Sequence, residues 1–194
     1  LKTYEQWEKV GAVVLGSWSR LELCPKSDVD LLLTGEPKAV KEFVQKLNEE
    51  GIKLRYRIPE DQNDWTVGVE PFDILAILRG VAFDEATRKQ LKVQQNKIHE
   101  RGDSFSESLM AAMQTEREDR NNRYDSISSY LEPNIKYGPG GLRDLMQAFI
   151  MVELFPEKYL DAEQTLEALE KYKWFFIALR HKMHLSGLGD VFIA

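Results

Sequence analysis

The sequence predicts an α+β chain, a small sheet with helices over residues 1–80 followed by an all-helical stretch over residues 81–194. Three observations predict it. Gly11 to Leu33 reads as two apolar strands joined through a glycine turn and a polar connector. Residues 37–58 hold one run at helical spacing and then one that alternates strictly. Beyond Gly80, charged and amide side chains dominate, and sparse apolar positions suit helices with one buried stripe.

Taken in order, residues 2–10 are expected as a short amphipathic helix with Tyr4, Trp7 and Val10 on one side. Gly11 to Leu15 is the first strand, Ser17 to Leu23 a short helix, and Pro25 closes the connector. Asp28 to Leu33 forms the second strand, ended by Thr34-Gly35. Pro37 suits the start of a helix in which Val40, Phe43, Val44 and Leu47 recur until Gly51 stops it. Ile52 to Ile58 alternates and reads as a half-exposed strand. Pro71 argues against a helix running through Trp65 to Leu78, and Phe72-Asp73-Ile74-Leu75 fits a strand.

Residues 84–124, with Leu91, Val93, Ile98, Phe105, Leu109, Met110 and Met113, suit two helices broken at Gly102. Pro133 to Gly141 is a loop with two prolines and three glycines, and a helix begins near Leu142. Ala162 to Leu185 is one long helix, with Leu166, Leu169, Tyr172, Phe176 and Leu179 as its core side. The Trp174, Phe175 and Phe176 cluster reads as core.

The composition, 43% apolar and 30% charged over 194 residues, is that of a folded globular protein. A net charge of −6 argues against nucleic acid as the main partner, because phosphate backbones are held by basic surfaces. One cysteine, Cys24, excludes an internal disulfide, fits a reducing cytoplasm and has no sequence neighbour that would activate it. No apolar run approaches a membrane span, and no secretory leader opens the sequence. The first residue is Leu1 rather than methionine, as in a piece of a longer protein.

The chemistry gathers at Gly16 to Asp30. Residues two apart on a strand share a face, so Asp28 and Asp30 present paired carboxylates while Val29 turns to the core. Such a pair suits a hard cation such as Mg²⁺, whose remaining coordination a nucleoside triphosphate completes. Gly16 and Ser17 can offer N–H groups and a hydroxyl to the phosphates. Arg20 and Lys26 lie close to that turn in sequence, and Lys136 and Arg143 flank the glycine loop; cations there would offset the triphosphate's charge. The loop's glycines suit either close approach to a ligand or a tight helix joint in which Asn134 and Asp144 satisfy main-chain groups. His181 and His184, three apart on a helix, lack a third ligand at a fitting offset and read as surface or packing residues.

Gly16-Ser17, a connector, then Asp28-Val29-Asp30 and apolar residues resembles the nucleotidyltransferase superfamily with the polymerase-β-like fold. Arg20, Glu22, Leu23, Pro25 and the run Ser27 to Leu32 resemble, within it, the bacterial PII uridylyltransferases, bifunctional uridylyl-transferring and uridylyl-removing sensors of nitrogen status. Leu131 to Asp144 resembles that family's helical-domain signature. Arg101-Gly102, Arg117, Arg120, Arg123-Tyr124 and the tail from Trp174 to Leu185 are also similar. The sequence departs where the family has glycines at the positions of Ser17, Ser19 and Leu21, and it matches poorly over 52–83. Full-length family members continue into a His-Asp metal domain and ligand-sensing domains, whereas no His-Asp pair occurs here, as expected of an excised transferase portion or a natural short relative.

The resemblance implies a polymerase-β-like nucleotidyltransferase domain with a small mixed sheet over 1–80, and a helical substrate- or nucleotide-binding domain over 81–194. It implies transfer of UMP from UTP to a tyrosine of a PII-type signalling protein with Mg²⁺ or Mn²⁺, with pyrophosphate release and with Asp28 and Asp30 bridging the metals. It further implies a third carboxylate on a neighbouring strand. Asp73, between Phe72 and Ile74, is the best match, with Glu70 as rival and Asp64 and Glu60 further off. Adenylyl or other nucleotidyl transfer to a different acceptor stays open, as does a catalytically silent nucleotide-binding regulatory module.

Overall fold

Strand β1 (Val10–Val14) runs antiparallel to β2 (Val29–Gly35), so that Val14 faces Leu31 and Val10 faces Gly35. In this computed structural model residues 9–124 and 131–191 are described; the helix expected over 2–10 lies outside them except for its end, where Val10 opens β1. Strand β3 (Leu54–Arg57) lies parallel to β2, and the two-residue β4 (Val81–Ala82) lies antiparallel to β1, giving the mixed order β3-β2-β1-β4. With α1 (Gly16–Ser19), α2 (Pro37–Glu49), α3 (Pro71–Leu78), α4 (Glu85–Glu100), α5 (Gly102–Tyr124), α6 (Leu142–Leu154) and α7 (Ala162–Leu185), the described residues have the α+β composition that the sequence predicts.

The chain divides into two compact units, residues 1–23 with 27–105 and residues 24–26 with 106–194. The division falls within α5, later than the compositional change at Gly80, because α4 packs on α3, β4 and β1. Its apolar stripe, Leu91 and Ile98, is buried there.

In the first unit the two-residue period of the strands sorts side chains between two faces. Val10, Val14, Leu31 and Leu33 form one buried face with Val40 and Val44 of α2, and Trp18, Val29 and Leu54 pack at its margin. Val13 and Leu32, on the opposite parity, are also fully buried. The helix expected over Ser17 to Leu23 contracts to the single turn α1, after which Leu21 takes a left-handed φ of 59°.

One expectation fails here. Phe72 to Leu75 is not a strand but the front of α3, with Pro71 in its first turn. A proline there forfeits no helical hydrogen bond, so the residue that stops a helix arriving from upstream starts one of its own. Ile74, Leu75 and Ile77 are buried, and so continuous a run of apolar residues carries little periodicity to tell strand from helix.

In the second unit α6 and α7 pack together, joined through a 3₁₀ turn at Pro156–Lys158, and Asp161 caps α7 by accepting from the Gln164 N–H. The buried side of α7 differs from the expected one. Ile177, Arg180, Met183 and His184 are buried, whereas Tyr172, Trp174 and Phe175 are exposed and Phe176 is half-buried. Of the expected stripe, Leu166, Leu169, Phe176 and Leu179 are half-buried and Tyr172 is exposed; because two of the buried four are polar, a stripe drawn through apolar residues alone is offset from the buried one.

Candidate functional site

Gly16 follows β1 with a φ of 60°, and a Cβ on it would overlap the Asp30 carboxylate. The Leu15 N–H donates to the Asp30 carbonyl at 2.9 Å, so the end of β1 and the start of β2 are tied where the turn begins. Asp30 is the second residue of β2 and Asp28 stands just before it; both are half-buried. With Leu32 and Thr34 they have the parity opposite to the face that packs on α2. Ser17 lies within α1, its carbonyl accepting from the Glu22 N–H at 2.8 Å, and Ser19 Oγ donates to the Gly16 carbonyl at 3.1 Å.

The cations near the turn have partners in the chain. Arg20 Nε is 2.7 Å from the carboxylate of the buried Glu22. In the second unit the Lys26 ammonium donates to the Gly187 carbonyl, and the Lys26 N–H donates to His184 Nδ1 at 3.1 Å.

Asp73 sits in the first turn of α3, ion-paired with Arg57 of β3. In the register of β2 with β3, Asp30 stands beside Arg55 and Leu32 beside Arg57, which puts both arginines on the Asp30 face. The strand next to the aspartates therefore brings guanidinium groups to that face. Among the described residues, no three His, Cys, Asp or Glu side chains are grouped to hold a metal ion, so Asp73 is not gathered with Asp28 and Asp30. Glu70 is the exposed residue before α3, and Glu60 is exposed. Asp64 is bound by the Thr66 hydroxyl at 2.6 Å and the Thr66 N–H at 3.0 Å, which hold its carboxyl below the usual range.

In the second unit the Pro133 to Gly141 loop is built as a joint. Asn134 Oδ1 accepts from the Lys136 and Tyr137 N–H groups at 3.0 and 2.8 Å. Gly138 and Gly141 each lie where a Cβ would strike the loop's own carbonyls, so the loop folds back on itself only with glycine at those places. Asp144 accepts from the Gly140 N–H at 2.7 Å and from the buried Arg120 at 2.6 Å. Lys136 Nζ lies 4.7 Å from the centre of the Tyr137 ring, which stacks on Tyr124. Arg143 Nε is 3.5 Å from Glu116 without a directed hydrogen bond, and its side chain is half-exposed.

A buried network beneath this joint carries no sequence motif. Asp190 accepts from Arg180 Nε at 2.6 Å and Nη2 at 3.2 Å, and from His184 Nε2 at 2.9 Å. Because Nδ1 of His184 accepts the Lys26 N–H, its proton belongs on Nε2. Burial by itself would raise the Asp190 carboxyl, but the bonds from Arg180 and His184 outweigh it and hold the group below its ordinary value. Burial pushes the neighbouring Cys24 thiol up, against the opposing pull of Arg180. The one sequence signal, an arginine and a histidine four apart on a helix, gains meaning only once Asp190 folds back onto them.

Residues 108–188 match the GlnD PII-uridylyltransferase domain family. The chain is 31% identical over 147 residues to the bifunctional uridylyltransferase/uridylyl-removing enzyme of Hydrogenovibrio crunogenus, a match that covers 73% of this chain and 16% of that protein. The protein of the same name from Aliivibrio fischeri strain MJ11 is 35% identical over 149 residues, covering 69% of this chain and 16% of the relative. That of Pasteurella multocida is 29% identical over 190 residues, covering 89% of this chain and 22% of the relative. The chain thus spans less than a quarter of the length of these proteins. Matched along most of its own length to relatives of one kind, and with their domain in its helical half, the chain belongs to the PII-uridylyltransferase family.

Proposed function

We propose that this chain carries a nucleotidyl-transfer site that moves UMP from UTP to a tyrosine hydroxyl of a PII-type signalling protein, releasing pyrophosphate. The observation that carries the reading is the fit of Gly16 to Asp30, which sets a bare glycine turn against one of two carboxylates at the start of β2. The uridylyl group is taken from the relatives, which are uridylyltransferase/uridylyl-removing enzymes by name.

Asp28 and Asp30 are oxygen donors of the kind Mg²⁺ or Mn²⁺ takes, and two of them leave most of the coordination to the triphosphate. The metal, when bound, supplies positive charge to the reacting phosphate and the departing pyrophosphate. Gly16 and Ser17 face the phosphates in this reading, and Arg20 is the cation of the same unit assigned to the nucleotide. Asp73 serves the Asp30 face through Arg57, whose guanidinium it holds.

The test is incubation of the chain with UTP, Mg²⁺ and a PII-type protein, followed by pyrophosphate release and the mass of the acceptor. A gain of one UMP that Asp28→Asn abolishes supports the reading. A gain of AMP from ATP alone assigns adenylyl transfer instead. UTP binding without transfer to the acceptor makes the chain a nucleotide-binding module.

A further inference from the structure

Helix α7 leaves an aromatic face uncovered. Trp174 and Phe175 are 45% and 62% exposed, although both are residue types that a fold ordinarily covers. Neither ring is loose. Lys173 Nζ lies 5.4 Å from the centre of the Trp174 ring and 5.1 Å from that of Phe149 on α6, and Phe175 meets Phe176 edge-on at 5.7 Å. The rings are held by their own pair of helices while their outer surfaces stay open, so covering them costs little further ordering.

Charge on that face is ordered about the aromatic pair. Glu167, Lys171, Trp174, Ala178 and Lys182 recur three or four residues apart, which sets them along one side of the helix, and all are exposed. Glu167 lies seven residues before Trp174, and Lys182 seven after Phe175. A two-fold axis passing between Trp174 and Phe175 sets two copies of α7 antiparallel, with each Trp174 against the other's Phe175 and each Glu167 beside the other's Lys182. The same axis brings Lys171 opposite Ala178, whose short side chain leaves room for it. Glu167 already meets Lys171 of its own helix at 3.3 Å, but that pair is exposed and contributes little, so the carboxylate is able to face a second cation.

We propose that this face is a self-association surface: two copies of the chain pair through antiparallel α7 helices, with Trp174 and Phe175 at the centre and ion pairs between Glu167 and Lys182 at the rim. The 24 residues of α7 span about 36 Å. A strip of that length and about 10 Å wide falls at the small end of specific interfaces, which suits a reversible dimer with a Kd of about 10–100 µM. The inference stands apart from the nucleotidyl-transfer reading and survives its failure.

The helix dipole alone also favours acids early and bases late, and exchanging the two charges separates these origins. Sedimentation velocity on the whole chain, from about 5 to about 500 µM, is expected to show a monomer–dimer equilibrium. Glu167→Lys and Lys182→Glu each place like charges across the interface and are expected to raise Kd by at least about tenfold. The double variant restores opposite charges and is expected to lie within about threefold of the parent. Trp174→Ala, which removes the central ring, is expected to weaken the dimer by at least about thirtyfold. A double variant no better than the weaker single one overturns the antiparallel pairing. A dimer that Trp174→Ala leaves intact forms elsewhere and overturns the surface. A chain that stays monomeric throughout overturns a second copy as the occupant and leaves the face to a partner of another kind.

Discussion

The carboxylate of Asp30 fills the space in which any side chain on residue 16 would begin. Gly16 also has a φ of 60°, so two separate costs fall on a substitution. Gly16→Ala is expected to lose about 1–2 kcal/mol from the left-handed backbone alone, and more from displacing Asp30. Urea unfolding measures the first effect. Pyrophosphate release with UTP measures the second, with a loss of at least about tenfold expected because a displaced ligand loses transition-state stabilisation.

Leu21 is the mirror case, a side chain where a glycine would rest easily. It is 82% exposed with a φ of 59°, so it contributes little burial to offset its backbone strain. Leu21→Gly is expected to raise stability by up to about 1 kcal/mol, the gain in φ being reduced by the freedom glycine adds to the unfolded chain. Leu21→Ala keeps the strain and removes the exposed apolar surface, and is expected to leave the urea midpoint near that of the parent. Equal midpoints for the two variants would remove strain as the cause.

Acid should unfasten the second unit through Asp190. Its folded carboxyl is held below the ordinary value, so it contributes stability that is fully present above the unfolded value and lost as pH falls through the folded one. The unfolded value is about 3.9. The stability difference between the parent and Asp190→Asn should therefore be constant from neutral pH down to about pH 5 and shrink below about pH 4. A difference that persists unchanged to the lowest pH at which the chain folds would assign the effect to packing.

The order of strands and helices is legible in the sequence wherever one face of an element is apolar and the other is not. Val40, Val44 and Leu47 announce α2, and Pro37 and Gly51 bound it. The pair Asp28 and Asp30 is legible because alternation on a strand fixes their common face. Legibility ends where the outcome depends on partners far away in the chain. Pro71 reads equally as the end of one helix and the start of another, and only the burial of Ile74 and Ile77 decides. His184 reads as a surface or packing residue until Asp190 and Lys26 are brought to its two nitrogens. The β4 strand spans Val81–Ala82, too short for any period to show.

Asp73 and Arg57 supply the sharpest test of what completes the seat. Asp73 lies in the first turn of α3, where a carboxylate favours the helix, and its ion pair with Arg57 is 32% exposed on the arginine side and 41% on the aspartate side. Such a pair is screened by solvent and contributes at most about 1 kcal/mol. If Asp73 acts through Arg57, Asp73→Asn and Arg57→Ala should each lower pyrophosphate release by less than about tenfold, and the double variant should be little worse than either single one. Asp28→Asn, which removes a proposed ligand, should lose at least about a hundredfold. If Asp73 instead leaves Arg57 to join the metal when the triphosphate binds, Asp73→Asn falls with Asp28→Asn and Arg57→Ala does not. Steady-state rates for these four variants, measured with UTP at saturating Mg²⁺, separate a carboxylate that orients a guanidinium from one that takes a metal.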